Sequence, residues 1–347
     1  MFKYNPKYVS DKPRQFYSCR WIEYGMVFFP YKQTMCCYCG HEGGGHTMLR
    51  NNYNGHKINW DRIFWLKRRF RDFHRKGKIH VSCVGCPFLE EREWYDPEEY
   101  INNLYISHWT HCNSKCVYCY ATQHPEDFKY HKPYTILPQL KEMLENNILR
   151  TGGSIHFGGG EPTILAEFED LIELLLDHKF YDLRIHTSGI KYSPALERGI
   201  REGRLTVVVS TDAGSAETFE KIKQVPCYDV VRENIKKYSQ AQIDTNHLVA
   251  PGVLMKGKYM VSSKFIIMPG INDTVEEVES WLRANAEAGL ETTVLDIEEN
   301  WYLANKDNIP KHIFDLIDYI KKRSRQLKTN FELYERIENM LKENARL

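Results

Sequence analysis

The densest chemistry in this 347-residue chain is the stretch HCNSKCVYCY, which sets Cys112, Cys116 and Cys119 in a CxxxCxxC spacing. Soft thiolates this close suit an iron–sulfur cluster or zinc, and three protein ligands leave one iron of a four-iron cluster open to something other than protein. With a fourth ligand borrowed from His108 or His111 the same stretch would make a zinc knuckle. A second stretch, FGGGEPT, places Gly158, Gly159, Gly160 and Glu161 at the end of a β-branched and aromatic run. Glycines there let backbone approach a ligand, and freed amides and carbonyls can meet a zwitterion. Taken alone, it reads as an ordinary strand-ending turn.

Nine of the ten cysteines lie between Cys19 and Cys119, and only Cys227 stands beyond them. The opening MFKYNPKYVSDKPRQ lacks the apolar core of a signal peptide, so we expect a cytoplasmic protein with reduced thiols, whose clustered cysteines read as metal ligands before disulfides. A net charge of +1 with 42% hydrophobic residues describes a globular chain, which excludes disorder as a theme and argues against bulk nucleic-acid coating. No apolar run approaches the roughly 18 residues that a membrane span needs.

These residues need elements to position them. From about residue 104 the sequence alternates short apolar runs with amphipathic ones, which predicts a parallel sheet. Strands are expected at 105–110, 154–159, 183–188, 205–211, 262–268 and 291–297, and helices at 136–148, 166–178, 194–203, 215–240 and 274–288. Two more helices, at 310–325 and 330–345, close the chain, and one basic helix is expected at 60–76. The stretch 243–260 reads as a long connection. We therefore expect three domains, a cysteine-rich one at 1–99, a core at 100–305 and a helical extension at 306–347.

On CxxxCxxC with the aromatic Tyr118 before its last cysteine, followed in order by GGGEP, the chain resembles the radical S-adenosylmethionine (SAM) superfamily. The resemblance implies an α/β fold, a partial (β/α)6 TIM-like barrel, with a [4Fe-4S] cluster on Cys112, Cys116 and Cys119 and SAM on its open iron. It implies reductive cleavage of SAM to a 5'-deoxyadenosyl radical that takes hydrogen from a substrate. Tyr118 would lie near the adenine, Gly158, Gly159, Gly160 and Glu161 near the methionine end, and Ser210 and Asp212 on the SAM side. Function gathers at the carboxyl ends of barrel strands, so Thr187, Ser188, Lys264, Asp296 and Glu298 join the candidates for SAM or substrate contacts.

Ahead of the core, Cys36, Cys39, Cys83 and Cys86 form two CxxC pairs able to hold zinc or an auxiliary iron–sulfur cluster, with Cys19, Cys37, His41 and His46 as spare ligands. Cys227 is a candidate hydrogen donor from a loop above the barrel. The helix between the pairs carries eight Lys or Arg between Arg62 and Lys78, a solvated face or a grip for phosphates. The expected substrate is a small molecule, nucleotide sugar, glycan or peptide that undergoes epimerisation, oxidation or rearrangement. Flavodoxin or ferredoxin is the expected electron donor, with no membrane partner. The competing expectation is a zinc-stabilised nucleic-acid-binding protein built on the CxxC pairs and the basic helix.

Overall fold

A computed structural model describes residues 14–30, 32–36, 48–51, 58–86, 88–94, 99–127, 134–245 and 260–344. The chain forms two compact units, residues 1–110 with 130–160, and residues 111–129 with 161–347. The boundary expected near residue 100 therefore falls inside the first unit.

In the first unit, β1 (Arg14–Ser18), α1 (Arg20–Tyr24), β2 (Gly25–Phe28), β3 (Lys32–Thr34) and β4 (Met48–Asn51) lead to the basic helix α2 (Trp60–Arg75). β5 (Glu90–Trp94) pairs antiparallel with β1, and β6 (Asn103–Ile106) runs parallel to β2, with Gly25 opposite Asn103. This pairing puts the amino-terminal segment beside the first expected core strand. All four residues of β2 are buried, the pattern of a strand covered on both faces. The short α3 (Tyr120–Gln123) belongs to the second unit, while α4 (Leu137–Glu145) and β7 (Ile155–Phe157), parallel to β6, complete the first.

The second unit repeats one theme. α5 (Phe168–Asp177), β8 (Leu183–Thr187), α6 (Pro194–Arg201), β9 (Leu205–Ser210), α7 (Ala216–Lys223), α8 (Tyr228–Thr245), β10 (Val261–Ile267), α9 (Val275–Glu287) and β11 (Thr292–Ile297) follow in order. α10 (Glu299–Asn305), α11 (Lys311–Gln326), β12 (Asn330–Leu333) and α12 (Glu335–Asn344) end it. β8, β9, β10, β11 and β12 are parallel neighbours in that order. Ser193, Ser215 and Thr274 cap α6, α7 and α9 by accepting from the Leu196, Thr218 and Glu277 amides, which fixes where each strand gives way to its helix. Trp281 packs on Phe265, Leu295 and Ile317 and donates its indole N–H to Ser263 Oγ at 2.8 Å.

The α/β class, the largely parallel pairing and the carboxyl-terminal helices are those expected. Two details differ. The helix expected over 215–240 divides where Gln224 turns left-handed at φ 58° just ahead of Pro226. The segment expected to be helical from 330 opens instead as β12, because Phe331 and Leu333 alternate with polar residues and pair with Thr293 and Leu295 of β11. Residues 246–259, within the expected long connection, lie outside the described residues. Among the described residues no helix is long and apolar enough to cross a membrane.

Candidate active site: the cysteine loop of the second unit

The loop that carries Cys112, Cys116 and Cys119 is bonded to its unit at five points. The Glu161 amide donates to His111 O at 2.8 Å, and Ser188 Oγ, just past β8, donates to Asn113 Oδ1 at 3.0 Å. The Lys115 and Val117 amides donate to the Lys223 and Ile222 carbonyls, both at 3.0 Å. These are carbonyls at the carboxyl end of α7, which lack partners within their own helix and are free to accept from a loop. The fifth point is Tyr118, whose hydroxyl donates to Asp212 Oδ2 at 2.7 Å while its ring packs with Ile222, Ile266 and Met268.

Inside the loop, Ser114 Oγ lies 3.3 Å from Cys112 Sγ and 3.5 Å from Cys116 Sγ, so two sulfurs flank one hydroxyl. Cys119 sits at the amino-terminal cap of α3, and its carbonyl accepts from the Thr122 and Gln123 amides at 2.9 Å. Cys112 is exposed, and Cys116 and Cys119 are half-buried. The desolvated position of its sulfur nevertheless pushes the Cys112 thiol up.

Asp212 is fully buried and holds φ 56°, a left-handed conformation rare for a residue with a side chain. Its surroundings over-determine it. Its Oδ1 accepts from the Ile266 amide at 2.9 Å, its carbonyl accepts from Asn272 Nδ2 at 2.8 Å, and Lys223 Nζ donates to its Oδ2. Burial pushes this carboxyl up, but the charges of Lys223 and Lys264 with the bonds from Lys223 and Tyr118 outweigh it and hold the group low. Burial likewise pushes Lys223 down, and Asp212 more than reverses this. Tyr118 is driven well above its ordinary value by burial and then by Asp212.

The other residues singled out from the sequence divide between the units. Gly158, Gly159 and Gly160 lie in the first, where Gly159 is required by its backbone conformation and the approach of Trp109 O. A Cβ on Gly158 would meet Tyr105 Oη at 2.2 Å, and one on Gly159, at φ 89°, would meet Trp109 O at 2.7 Å. Glu161, in the second unit, is buried and accepts from Thr163 Oγ1 at 2.6 Å, Thr187 Oγ1 at 2.7 Å and the Ser188 amide at 2.5 Å. It binds the end of β8 together. Ser210 ends β9 opposite Lys264 of β10, whose amine burial pushes down. Asp296 is gripped by Arg336 through bonds of 2.7 and 3.1 Å, and Glu298 caps α10. Cys227 immediately precedes α8, where its carbonyl accepts from the Val231 amide.

In the first unit, Cys19, Cys36 and Cys83 are buried and Cys86 is half-buried, whereas Cys37, Cys39, His41 and His46 lie outside the described residues. Burial pushes the Cys19 thiol up to about 12, with Cys36 and Cys86 within electrostatic range of it, and burial also raises Cys86, with Cys36 and Cys83 adding. Beside them Lys67 of α2 is fully buried. Its ammonium donates to Gly25 O at 2.8 Å and Trp21 O at 3.3 Å, and burial, then Arg71, lowers it to about 7. Arg71 bonds Glu23 at 3.3 Å, Arg68 pairs with Glu99, and Arg69 lies over the Trp65 ring at 4.8 Å. Much of the basic face is thus committed inside its own unit.

Among the described residues no three His, Cys, Asp or Glu side chains gather to hold a single metal ion. A four-iron cluster spreads its protein ligands over separate irons, so thiols that neighbour without converging, as around Ser114, suit it better than one zinc. The donor set of the loop therefore fits the cluster that the sequence implies.

A family model of the radical SAM superfamily matches residues 106–284. The chain belongs to the radical SAM superfamily. Enzymes of this superfamily use a [4Fe-4S] cluster and SAM. It is similar, at 26% identity over 189 residues, to the 7,8-dihydro-6-hydroxymethylpterin dimethyltransferase of Methanocaldococcus jannaschii, with 50% of this chain and 37% of that one covered. It is also similar, at 23% identity over 224 residues, to the GTP 3',8-cyclase of Clostridium botulinum strain Okra, with 61% and 64% covered. The chain thus spans between about a third and two thirds of these relatives' lengths. Among solved structures, Streptococcus suis SuiB bound to SAM superposes with a TM-score of 0.48 at 13% identity, covering 81% of this chain and 57% of that one. Native anSMEcpe with bound AdoMet and the Cp18Cys peptide gives 0.46 at 17% identity, covering 66% and 62%.

Sequence reading missed Asn113, Ser114, Lys223 and Arg336. A signal existed for Lys223, which falls four residues from the apolar Phe219 and next to Ile222 on the buried stripe of α7. A lysine on such a stripe needs a counter-charge inside.

Proposed function

We propose that Cys112, Cys116 and Cys119 hold the [4Fe-4S] cluster, with SAM on the remaining iron, and that the protein abstracts hydrogen from a small-molecule or glycan substrate. The carrying observation is the loop itself, bonded at five points with the sulfurs of Cys112 and Cys116 flanking the Ser114 hydroxyl. A cluster held by Cys112, Cys116 and Cys119 would supply the electron for reductive cleavage of SAM to methionine and a 5'-deoxyadenosyl radical able to take hydrogen from the substrate. The protein's residues supply orientation and shielding. Ser188 and Glu161 fix the amino-terminal end of the loop, and the carboxyl end of α7 fixes its middle. We assign Asp212 to holding the loop rather than to SAM, because its oxygens are spent on Tyr118, Lys223 and the Ile266 amide. That leaves Ser210 and Lys264 as the candidates on this side for SAM or substrate.

The substrate class is supported by the relatives' names, which describe action on a pterin and on GTP. In the first unit, Cys36, Cys83 and Cys86, with Cys39 outside the described residues, remain the candidates for an auxiliary metal group, and Cys19 lies within electrostatic range of Cys36 and Cys86. The test is release of 5'-deoxyadenosine from SAM by anaerobically reconstituted, dithionite-reduced protein, beside a variant with Cys112, Cys116 and Cys119 all changed to Ala. Release by the parent alone is expected. Equal release by both would overturn the proposal.

A further inference from the structure

Lys223 holds the cysteine loop twice over. Its carbonyl accepts from the Lys115 amide at 3.0 Å, and its ammonium donates to Tyr118 Oη at 2.9 Å, within the same loop. The same ammonium bonds Asp212, and both side chains are almost fully shielded, at 2% and 0% exposure. A buried cation is expensive, and packing alone would be served as well by Leu or Met at this position of α7. The charge therefore needs an explanation in what it faces. Lys223 lies within electrostatic range of Cys116 and Cys112, whereas the leading charged neighbours of Asp212 are Lys223 and Lys264. The carboxylate thus answers two ammonium groups, and one of these bonds Tyr118, which lies between Cys116 and Cys119 in the loop.

We propose that Lys223 is a positioning residue that pins the cluster-binding loop through Tyr118 and sets a permanent positive charge beside Cys116, raising the reduction potential of the cluster. Reduction adds one electron, from dithionite or a protein donor, and makes the cluster and its thiolates one charge more negative. A fixed cation in a low-dielectric surrounding favours the reduced form over the oxidised one. Asp212 serves this role by pairing with the Lys223 ammonium where both are shielded from water. The inference rests on the cluster assignment above.

The experiment is a redox titration of the reconstituted protein, followed by electron paramagnetic resonance, on the parent, Lys223→Met and Lys223→Arg, with iron content and circular dichroism measured on each. Lys223→Met is expected to bind its iron and to shift the midpoint to a more negative potential, and Lys223→Arg to restore most of the shift. If Lys223→Met does not fold, Lys223→Gln, which keeps a donor for Tyr118 and Asp212, is expected to give the same negative shift. An unchanged midpoint in an iron-loaded, folded neutral variant would overturn the proposal, as would an equal shift in Lys223→Arg. A parent that binds no cluster would instead defeat the functional reading itself.

Discussion

The two cysteine sets are built on opposite plans. In the second unit the thiols sit on a loop whose backbone and neighbouring side chains are bonded to the ends of β8, β9 and α7, and the sulfurs are left half-buried or exposed. In the first unit three of the four described thiols are buried, Cys19 is pushed up to about 12 by burial, and a lysine lowered to about 7 lies among them. The loop spends its hydrogen bonds on shape and leaves the ligands accessible. The other set encloses Cys19, Cys36 and Cys83, and burial holds the Cys19 thiol protonated. Accessibility suits a site that must admit a second ligand, and enclosure suits one that need not.

The largest test of this contrast strikes the support of the loop. Asp212→Asn leaves Lys223 as an uncompensated buried charge and is expected to cost about 3–5 kcal/mol in chemical denaturation. A cost under about 1 kcal/mol would mean that the loop does not depend on the pair. Next, alkylation of the metal-free protein with iodoacetamide, read by mass spectrometry, is expected to label Cys112 on the order of 100-fold faster than Cys19, since Cys112, though also raised, is exposed whereas Cys19 is buried and pushed up to about 12. Similar rates would erase the contrast. The smallest effect is in pH. Lys67 titrates near 7 when folded and near 10.5 unfolded, so between these values the unfolded chain holds a proton that the native chain has lost, and stability rises with pH. The slope is at most about 1.4 kcal/mol per pH unit, best seen between pH 7 and about 8.5, because above that the raised Cys19 thiol pulls the other way. Lys67→Met is expected to flatten it in thermal melts of metal-free protein, and an unchanged slope would remove Lys67 as its source.

Much of this was legible beforehand in particular residues. CxxxCxxC with Tyr118 carried the family, and the β-branched runs ending at Thr187, Ser210 and Ile297 marked strands, because a buried parallel strand leaves a local apolar signature. The first unit was hidden for the opposite reason. β1 pairs with β5 across more than seventy residues of chain, and β3 has three residues, so no local pattern announces either. The loop-holding role proposed for Asp212 was not legible from sequence. A polar residue at a strand end looks the same whether it faces a ligand or anchors a loop, and only the partners Tyr118, Lys223 and the Ile266 amide separate the two.

The central claim is that the loop alone makes the SAM-binding cluster, independent of the first unit's thiols. It is tested most directly by electron paramagnetic resonance of the reduced, reconstituted protein with and without SAM, comparing a variant with Cys112, Cys116 and Cys119 changed to Ala against one with Cys19, Cys36, Cys83 and Cys86 changed to Ala. The account predicts that a cluster signal shifted by SAM survives in the second variant and vanishes in the first. A SAM-responsive signal that persists without the loop cysteines would contradict it.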